Sequence, residues 1–447
     1  MENNNDIVSA LSPGRLDVMG GIADYSGSLL LQMPIEETTL VELKKNDGNL
    51  INIAADFDGG HHEYSIELSV LKHLPYRAAR ELILAKKEGY WAVYIVGCFL
   101  VLEQEKEFSF TGADIIVTGT IPTGKGVSSS AAVEIATMHA LQRAYGFMLD
   151  PIELALLAQK VENLVAGAAC GLMDQLSVNL GRKDHLLPII CQPHHVMEPV
   201  KIPAGILFFG LDSGVRHAVS GASYSQVRTA AFMAYTVLLR TLGIESAMIE
   251  KARVSQDWDQ LPFKGFLANI PLEEFEQQYA SKIPETMWGE HFIKDYGSSI
   301  DTITVVNPST EYHLLNAAYH PVRENHRVNR FMELLKQFES SEDKKMVLRE
   351  MGELMLGSHQ GYSSVGLGEP VTQMIVDKVL EYGEANGVYG ARISGGGSGG
   401  TVVIIADTEK GINTVKEIHS FMQKKTGREL YLFSGSSEGA HFINTAN

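Results

Sequence analysis

The sequence is poor in the features that mark several large classes of protein. Three cysteines occur in 447 residues, Cys98, Cys170 and Cys191, and none forms a CxxC pair. Reduced thiols in a cytosolic protein are the expectation. Positive charge is scarce, since 37 Lys and Arg face 54 Asp and Glu for a formal net charge of −17. A nucleic-acid binder meets phosphates with a basic surface, and an anionic membrane attracts basic patches, so neither partner is expected. Long apolar runs are missing too. The longest, Trp91 to Leu102, is too short to span a bilayer and reads as a buried helix. The opening stretch MENNNDIVSAL has no basic segment before an apolar one, which argues against a signal peptide and for the cytoplasm.

What is present points to a sizeable globular protein. The chain is 45% hydrophobic and too long for one core, which suits two domains. Strands are expected at 7–16, 28–44, 113–118, 187–215, 391–394 and 401–406. Helices are expected at 129–145, 222–242, 324–337, 343–356 and 371–386, and from Pro151 to about Ala166. Asp150 caps that last helix, Pro151 takes its first position, and Glu153 stands where a capping box needs it. Residues 255–300 show no clear period and read as short helices and loops. Runs of strands and runs of helices, without regular alternation, predict an α+β fold. The boundary is weakly marked, and a single division after residue 205 gives domains 1–205 and 206–447.

Two glycine-rich elements stand out. The first, Pro122-Thr123-Gly124-Lys125-Gly126-Val127-Ser128-Ser129-Ser130, follows a strand and opens a helix. Small residues let the backbone close on a ligand, and a helix N-terminus offers free N–H groups and a positive dipole end to phosphate. Gly119 to Lys125 fits GxxxxGK, but Gly126 stands where a P-loop needs a hydroxyl, so that reading is rejected. The second, Gly395-Gly396-Gly397-Ser398-Gly399-Gly400, matches GxGxxG. A strand follows it instead of a helix, which rejects a dinucleotide-binding fingerprint. Taken singly, each loop is also explained by an ordinary turn. A third element, Ser12-Pro13-Gly14-Arg15 followed by Gly20 to Tyr25, sets an Arg and an Asp beside tight turns. Adjacent histidines rarely share one ion, so His61-His62 and His194-His195 read as loop residues.

Together these elements resemble the GHMP kinases, and within them the galactokinases. SPGRLDVMGGIADY is similar to that family's sugar-binding motif, PTGKGVSSSAA to its ATP-binding motif, ARISGGGSGG to its C-terminal glycine motif, and CGLMDQ to the segment with the catalytic Asp. The resemblance covers nearly the whole chain, 255–325 included, and is strongest to a branch acting on L-arabinose. It implies a two-domain fold with the active site in the cleft between domains, and use of ATP and Mg²⁺ on a small sugar. It implies that Asp174 accepts the sugar hydroxyl's proton, with Arg15 keeping it ionised and stabilising charge on the transferred phosphoryl group. Ser130 and Glu162 would ligate Mg²⁺, which prefers hard oxygen donors. Gly124, Lys125, Gly126, Ser128, Ser129, Ser130, Gly396 and Gly397 would bind nucleotide, although Lys125 is equally explained as a solvated side chain. Asp24 and Tyr224 would contact the sugar.

The informative departure is at Gly21-Ile22, where galactokinases carry Glu-His reaching the exocyclic hydroxymethyl side of galactose. L-Arabinopyranose has the galactose ring-hydroxyl pattern without that group, and a site stripped of two polar side chains suits it. A galactose or galacturonate 1-kinase is the alternative, although a uronate calls for a cation that Gly21-Ile22 does not offer. A non-catalytic sugar sensor is the alternative of another class, and it could dispense with Asp174 or the serine run. Asp24-Tyr25 favours a sugar over mevalonate.

Overall fold

The computed structural model describes residues 7–168, 170–192, 194–215 and 222–443. The chain folds into two compact units, neither continuous in sequence. The first unit comprises Met1–Leu16, Gln32–Leu187 and Phe433–Asn447; the second comprises Asp17–Leu31 and Pro188–Leu432. These units are defined by contacts, whereas 1–205 and 206–447 divide the linear sequence.

The first unit is a sheet backed by helices. Its strands are β1 (Val8–Met19, which continues into the second unit), β2 (Leu29–Lys45), β3 (Leu50–Phe57), β4 (Gly60–Glu67) and β5 (Ala113–Gly119). β5 runs antiparallel to β2 and parallel to β3, and β3 pairs antiparallel with β4. One face is buried, so β5 alternates buried and exposed residues along ADIIVT, as a half-buried strand must. Against the sheet lie α1 (Gly89–Lys106), α2 (Ser129–Tyr145), α3 (Pro151–Lys160) and α4 (Met173–Leu180). Trp91 to Leu102 lies within α1 and packs with Ile53, Ile115, Ile135 and Leu157 in one apolar core. A helix apolar on all sides is stable only when so enclosed. Gly146 ends α2 in the left-handed conformation.

Asp150 caps α3 by accepting the N–H groups of Ile152 and Glu153. Glu153 does not complete a capping box; its carboxylate pairs with Lys106 of α1, a full charge that outbids a backbone N–H. The expected helix to Ala166 is α only as far as Lys160. Val161–Ala166 continue it as a π turn, a rare geometry that recurs at functional sites.

The second unit holds β6 (Leu207–Asp212), α5 (Ala222–Thr241), α6 (Leu314–Gln337), α7 (Lys344–Ser364), α8 (Pro370–Tyr382), β7 (Val388–Ile393), β8 (Thr401–Ala406) and α9 (Glu409–Thr426). β7, β8 and β6 form consecutive antiparallel pairs. The glycine-rich run 395–400 joins β7 to β8, a strand–turn–strand element as its sequence predicts. α6 begins ten residues earlier than the periodicity indicates and encloses Pro321, because tertiary packing extends it. Residues 255–300 are a succession of short 3₁₀ and π turns and short helices, which explains their lack of period.

The expectation of loop residues needs correction at His61, His62 and His195. His61 and His62 lie on β4, where His62 stacks on Phe57 at 4.4 Å and bonds Glu88, and His61 bonds Asp56 at 2.7 Å. Cross-strand partners pay for their place in a strand. His194 lies in a turn, but His195 forms a two-residue strand with Val196 opposite Ile189 and Ile190. Among the described residues none of the three cysteines forms a disulfide. Among the described residues no helix is long and apolar enough to cross a membrane.

Candidate functional site

Arg15 and Asp174, 159 positions apart, meet in the first unit. Arg15 lies near the middle of β1 and Asp174 in the first turn of α4, where the helix dipole favours a carboxylate. The Arg15 Nε and Nη2 atoms donate to the same carboxylate oxygen, Oδ1, at 3.0 and 2.8 Å. The carboxylate's other oxygen, Oδ2, stays outside this pair. Arg15 Nη1 donates to the Gly126 carbonyl at 2.6 Å, and the Arg15 N–H to the Val127 carbonyl at 3.0 Å. The guanidinium therefore ties the Asp to the serine-glycine loop. Arg15 is 4% exposed and Asp174 23%, so the carboxylate is the accessible partner.

That loop is built to receive an anion. Gly124 and Gly126 have φ of 71° and 73°, and Ser128 has φ of 63°, alternating with residues of ordinary handedness. Such alternation turns successive N–H groups toward one concave side, and a side chain at either glycine would be strained. The concavity leads into the N-terminus of α2, which begins at Ser129. The Ser128 hydroxyl is buried and without a hydrogen-bond partner among the described residues. Thr123 anchors the loop by hydrogen bonds to Asp58. Lys125 is half-buried between the two glycines.

Ser130 and Glu162 also come together, with the hydroxyl donating to Glu162 Oε1 at 2.9 Å. Burial pushes the Glu162 carboxyl up to about 7; the Asp174 charge adds to this, and hydrogen bonds from Ser130, Gln175 and Cys170 oppose it. Two residues missed in the sequence complete the cluster. Gln175 donates to Glu162 Oε2 at 2.7 Å and to Glu134 Oε2 at 3.2 Å. Glu134 is fully buried, and that burial, with the Glu162 charge, raises its carboxyl well above the usual range. Its one sequence signal is a lone acid inside the apolar run AAVEIA. Among the described residues no group of three or more His, Cys, Asp or Glu is placed to hold a metal ion. The hydroxyl–carboxylate pair nevertheless fits Mg²⁺, which commonly takes one or two protein oxygens and completes its shell with phosphate and water. A buried carboxylate with a raised proton affinity is also one whose charge a cation would offset.

The second unit carries the other motif residues. Gly21–Ser26 form a 3₁₀ turn closed by Gly27, whose N–H bonds the Asp24 carbonyl. The Tyr25 N–H donates to Asp24 Oδ1 at 2.6 Å. Tyr25 meets Tyr224 edge-on at 6.1 Å between ring centres. Arg228, one helical turn beyond Tyr224, was not singled out in the sequence. It forms a buried two-bond pair with Asp301 at 2.9 and 2.9 Å, and Asp24 lies close enough to act on its charge. A spacing of four on a helix, Tyr224 to Arg228, is the signal that could have found it.

Ile22 is 2% exposed and packs in the core with Val227, Ala231 and Ile393. Gly21, with φ of 54°, faces a crowded wall: a Cβ there would lie 1.8 Å from the Tyr362 hydroxyl and 2.7 Å from Arg392 Nη2. In the glycine-rich loop, Ser398 N–H bonds the Leu367 carbonyl and Gly400 N–H the Val215 carbonyl, at 2.8 and 3.0 Å. Gly396 lies in the turn itself, and Gly397 packs against Tyr362 and Leu367.

Comparison with known proteins bears on the family and the fold. Residues 93–182 match the GHMP kinases N terminal domain, and residues 332–424 match the GHMP kinases C terminal domain. The chain is 35% identical to an L-arabinokinase of Arabidopsis thaliana, over 97% of this chain and 46% of that protein. It thus spans about half the length of this curated relative. Lactococcus lactis galactokinase, solved with galactose, superposes with a TM-score of 0.73 at 19% identity, covering 98% of this chain and 95% of that one. Streptococcus pneumoniae phosphomevalonate kinase, solved with phosphomevalonate and AMPPNP, gives 0.53 at 12% identity, covering 97% and 99%. At these identities the structural likeness is one of fold.

Proposed function

We infer, for a chain that belongs to the GHMP kinase superfamily, an ATP-dependent sugar 1-kinase activity whose acceptor is L-arabinose. The observation that carries the reading is the Arg15–Asp174 pair bonded to the serine-glycine loop. A sugar hydroxyl is a weak nucleophile, and a carboxylate with one oxygen held by a guanidinium keeps the other to accept its proton. Arg15 fixes the carboxylate's orientation and contributes positive charge where negative charge gathers on the phosphoryl oxygens. The N–H groups of 124–130 and the start of α2 bind phosphate, with Lys125 beside them and Gly396 and Gly397 as further nucleotide contacts. Ser130 and Glu162 would hold Mg²⁺, which, when bound, neutralises phosphate charge. Asp24 and Tyr224 would orient the sugar by its ring hydroxyls.

The choice of sugar rests on two supports. The L-arabinokinase relative is one. The other is Gly21-Ile22, which offers no polar side chain to an exocyclic hydroxymethyl or carboxylate. ATP consumption by the purified protein across L-arabinose, galactose, galacturonate and mevalonate tests the reading, with Asp174→Ala as control. L-Arabinose is expected to give the highest kcat/KM. A higher value for galactose would overturn the sugar, and no turnover with any sugar would leave a sensor.

A further inference from the structure

Behind the turn 21–26 lies a buried polar network that the proposed reaction does not use. Asp17 and Arg392 form an ion pair at 2.9 Å with neither side chain exposed. Asp17 Oδ1 accepts the Gly21 N–H at 3.1 Å, and Asp17 Oδ2 accepts the Gly395 N–H at 3.2 Å. The Tyr362 hydroxyl does the same from the other side. It accepts the Ile22 N–H at 3.0 Å and donates to the Gly395 carbonyl. Two consecutive N–H groups of the turn and both backbone groups of the first loop glycine are thus held by two side chains. Arg392 holds both, donating to Asp17 and, at 3.4 Å, to the Tyr362 hydroxyl. Gly397 packs on the Tyr362 ring, and Leu367, just beyond the helix that carries Tyr362, accepts the Ser398 N–H of the loop.

The space at Gly21 completes the picture. The Tyr362 hydroxyl occupies the volume that a side chain at 21 would need. The missing side chain and the buried phenol therefore form one device.

We propose that Tyr362 is a positioning residue that locks the turn 21–26 to the glycine-rich loop 395–400, so that nucleotide on the loop orders the turn for the sugar. This rests on the kinase reading, in which the loop meets nucleotide and the turn meets sugar. A hydroxyl shared between two backbone groups transmits displacement because a buried N–H or carbonyl cannot afford to lose its partner. Without the hydroxyl, Ile22 N–H and Gly395 C=O lose their common partner, while Asp17 and Arg392 remain.

The test is hydrogen–deuterium exchange on the full chain, with AMPPNP and Mg²⁺ as the probe, in wild type and Tyr362→Phe. In wild type, exchange should slow both at 394–401 and at 20–28. In Tyr362→Phe the loop should respond in full and the turn clearly less than in wild type, because only the Asp17 link between Gly21 and Gly395 is left. Kinetics give a second readout: the wild-type KM for the sugar should fall several-fold as ATP approaches saturation, and the variant should lose that dependence. A third is rescue, since Gly21→Ala should regain part of its lost sugar affinity in the Tyr362→Phe background. A wild-type turn that ignores AMPPNP overturns the proposal even if the variant does not fold. A turn response undiminished in Tyr362→Phe overturns it while leaving the kinase reading intact. Failure of the chain to bind AMPPNP overturns both.

Discussion

Arg15 with Asp174 in the first unit and Arg392 with Asp17 in the second are chemically the same pair, at 2.8 and 2.9 Å. Their surroundings give them opposite uses. Arg392 and Asp17 are fully enclosed, and their remaining capacity goes to backbone groups, Ser358 and Tyr362. Burial works to lower the Arg392 pKa, and Asp17, with Tyr362 and Glu324 beside it, more than reverses it. Asp174, by contrast, is partly exposed, and Arg15 engages one of its oxygens. A satisfied buried pair fixes geometry; a pair with an open oxygen can take part in chemistry.

The largest expected effects test that contrast directly. Asp174→Ala should lower kcat by about 10²–10⁴-fold, the usual share of a proton-accepting group, at a smaller cost in stability than breaking the fully enclosed pair. Arg392→Met should do the reverse, costing about 3–5 kcal/mol of stability in denaturant titration by stranding the Asp17 charge. If Arg392→Met unfolds at the wild-type denaturant midpoint, or Asp174→Ala keeps full turnover, the contrast collapses. Ser130→Ala should weaken the apparent Mg²⁺ affinity by about 10–100-fold in a metal titration of activity, since Glu162 loses its oriented partner.

A smaller effect separates the units by pH. Burial holds the His320 imidazole down to about 4 from its ordinary 6.5, with Glu324 opposing and Arg327 and Arg392 reinforcing. Below 6.5 the unfolded chain takes up a proton that the folded chain refuses. His320 therefore costs stability progressively as pH falls from about 6.5 to about 4, roughly 1.4 kcal/mol by pH 5.5. His320→Phe should flatten that part of the melting-temperature profile. The smallest effect is local: Asp150→Ala should cost about 1 kcal/mol through the lost cap of α3, measured by denaturant titration.

How far these features were legible varies with their range. The cap at Asp150, the end of α2 at Gly146 and the strand–turn–strand around 395–400 follow from neighbouring residues alone. The resemblance named Arg15, Glu162 and Asp174, but the 159 positions between Arg15 and Asp174 carry no distance. Glu134, Gln175 and Arg228 were missed because each is ordinary in its own stretch and acquires meaning only from a partner far along the chain. His61, His62 and His195 were misread as loop residues because strand residues are held by cross-strand neighbours, which a local pattern does not contain.

By itself the sequence determined the α+β class and the glycine-rich turns, because periodicity, capping and small-residue runs act over a few positions, and its motifs carried the resemblance to the GHMP kinases. Only the tertiary structure decided what fills the space beside Gly21. A missing side chain reads in a sequence as an opening, whereas close packing put the Tyr362 phenol there.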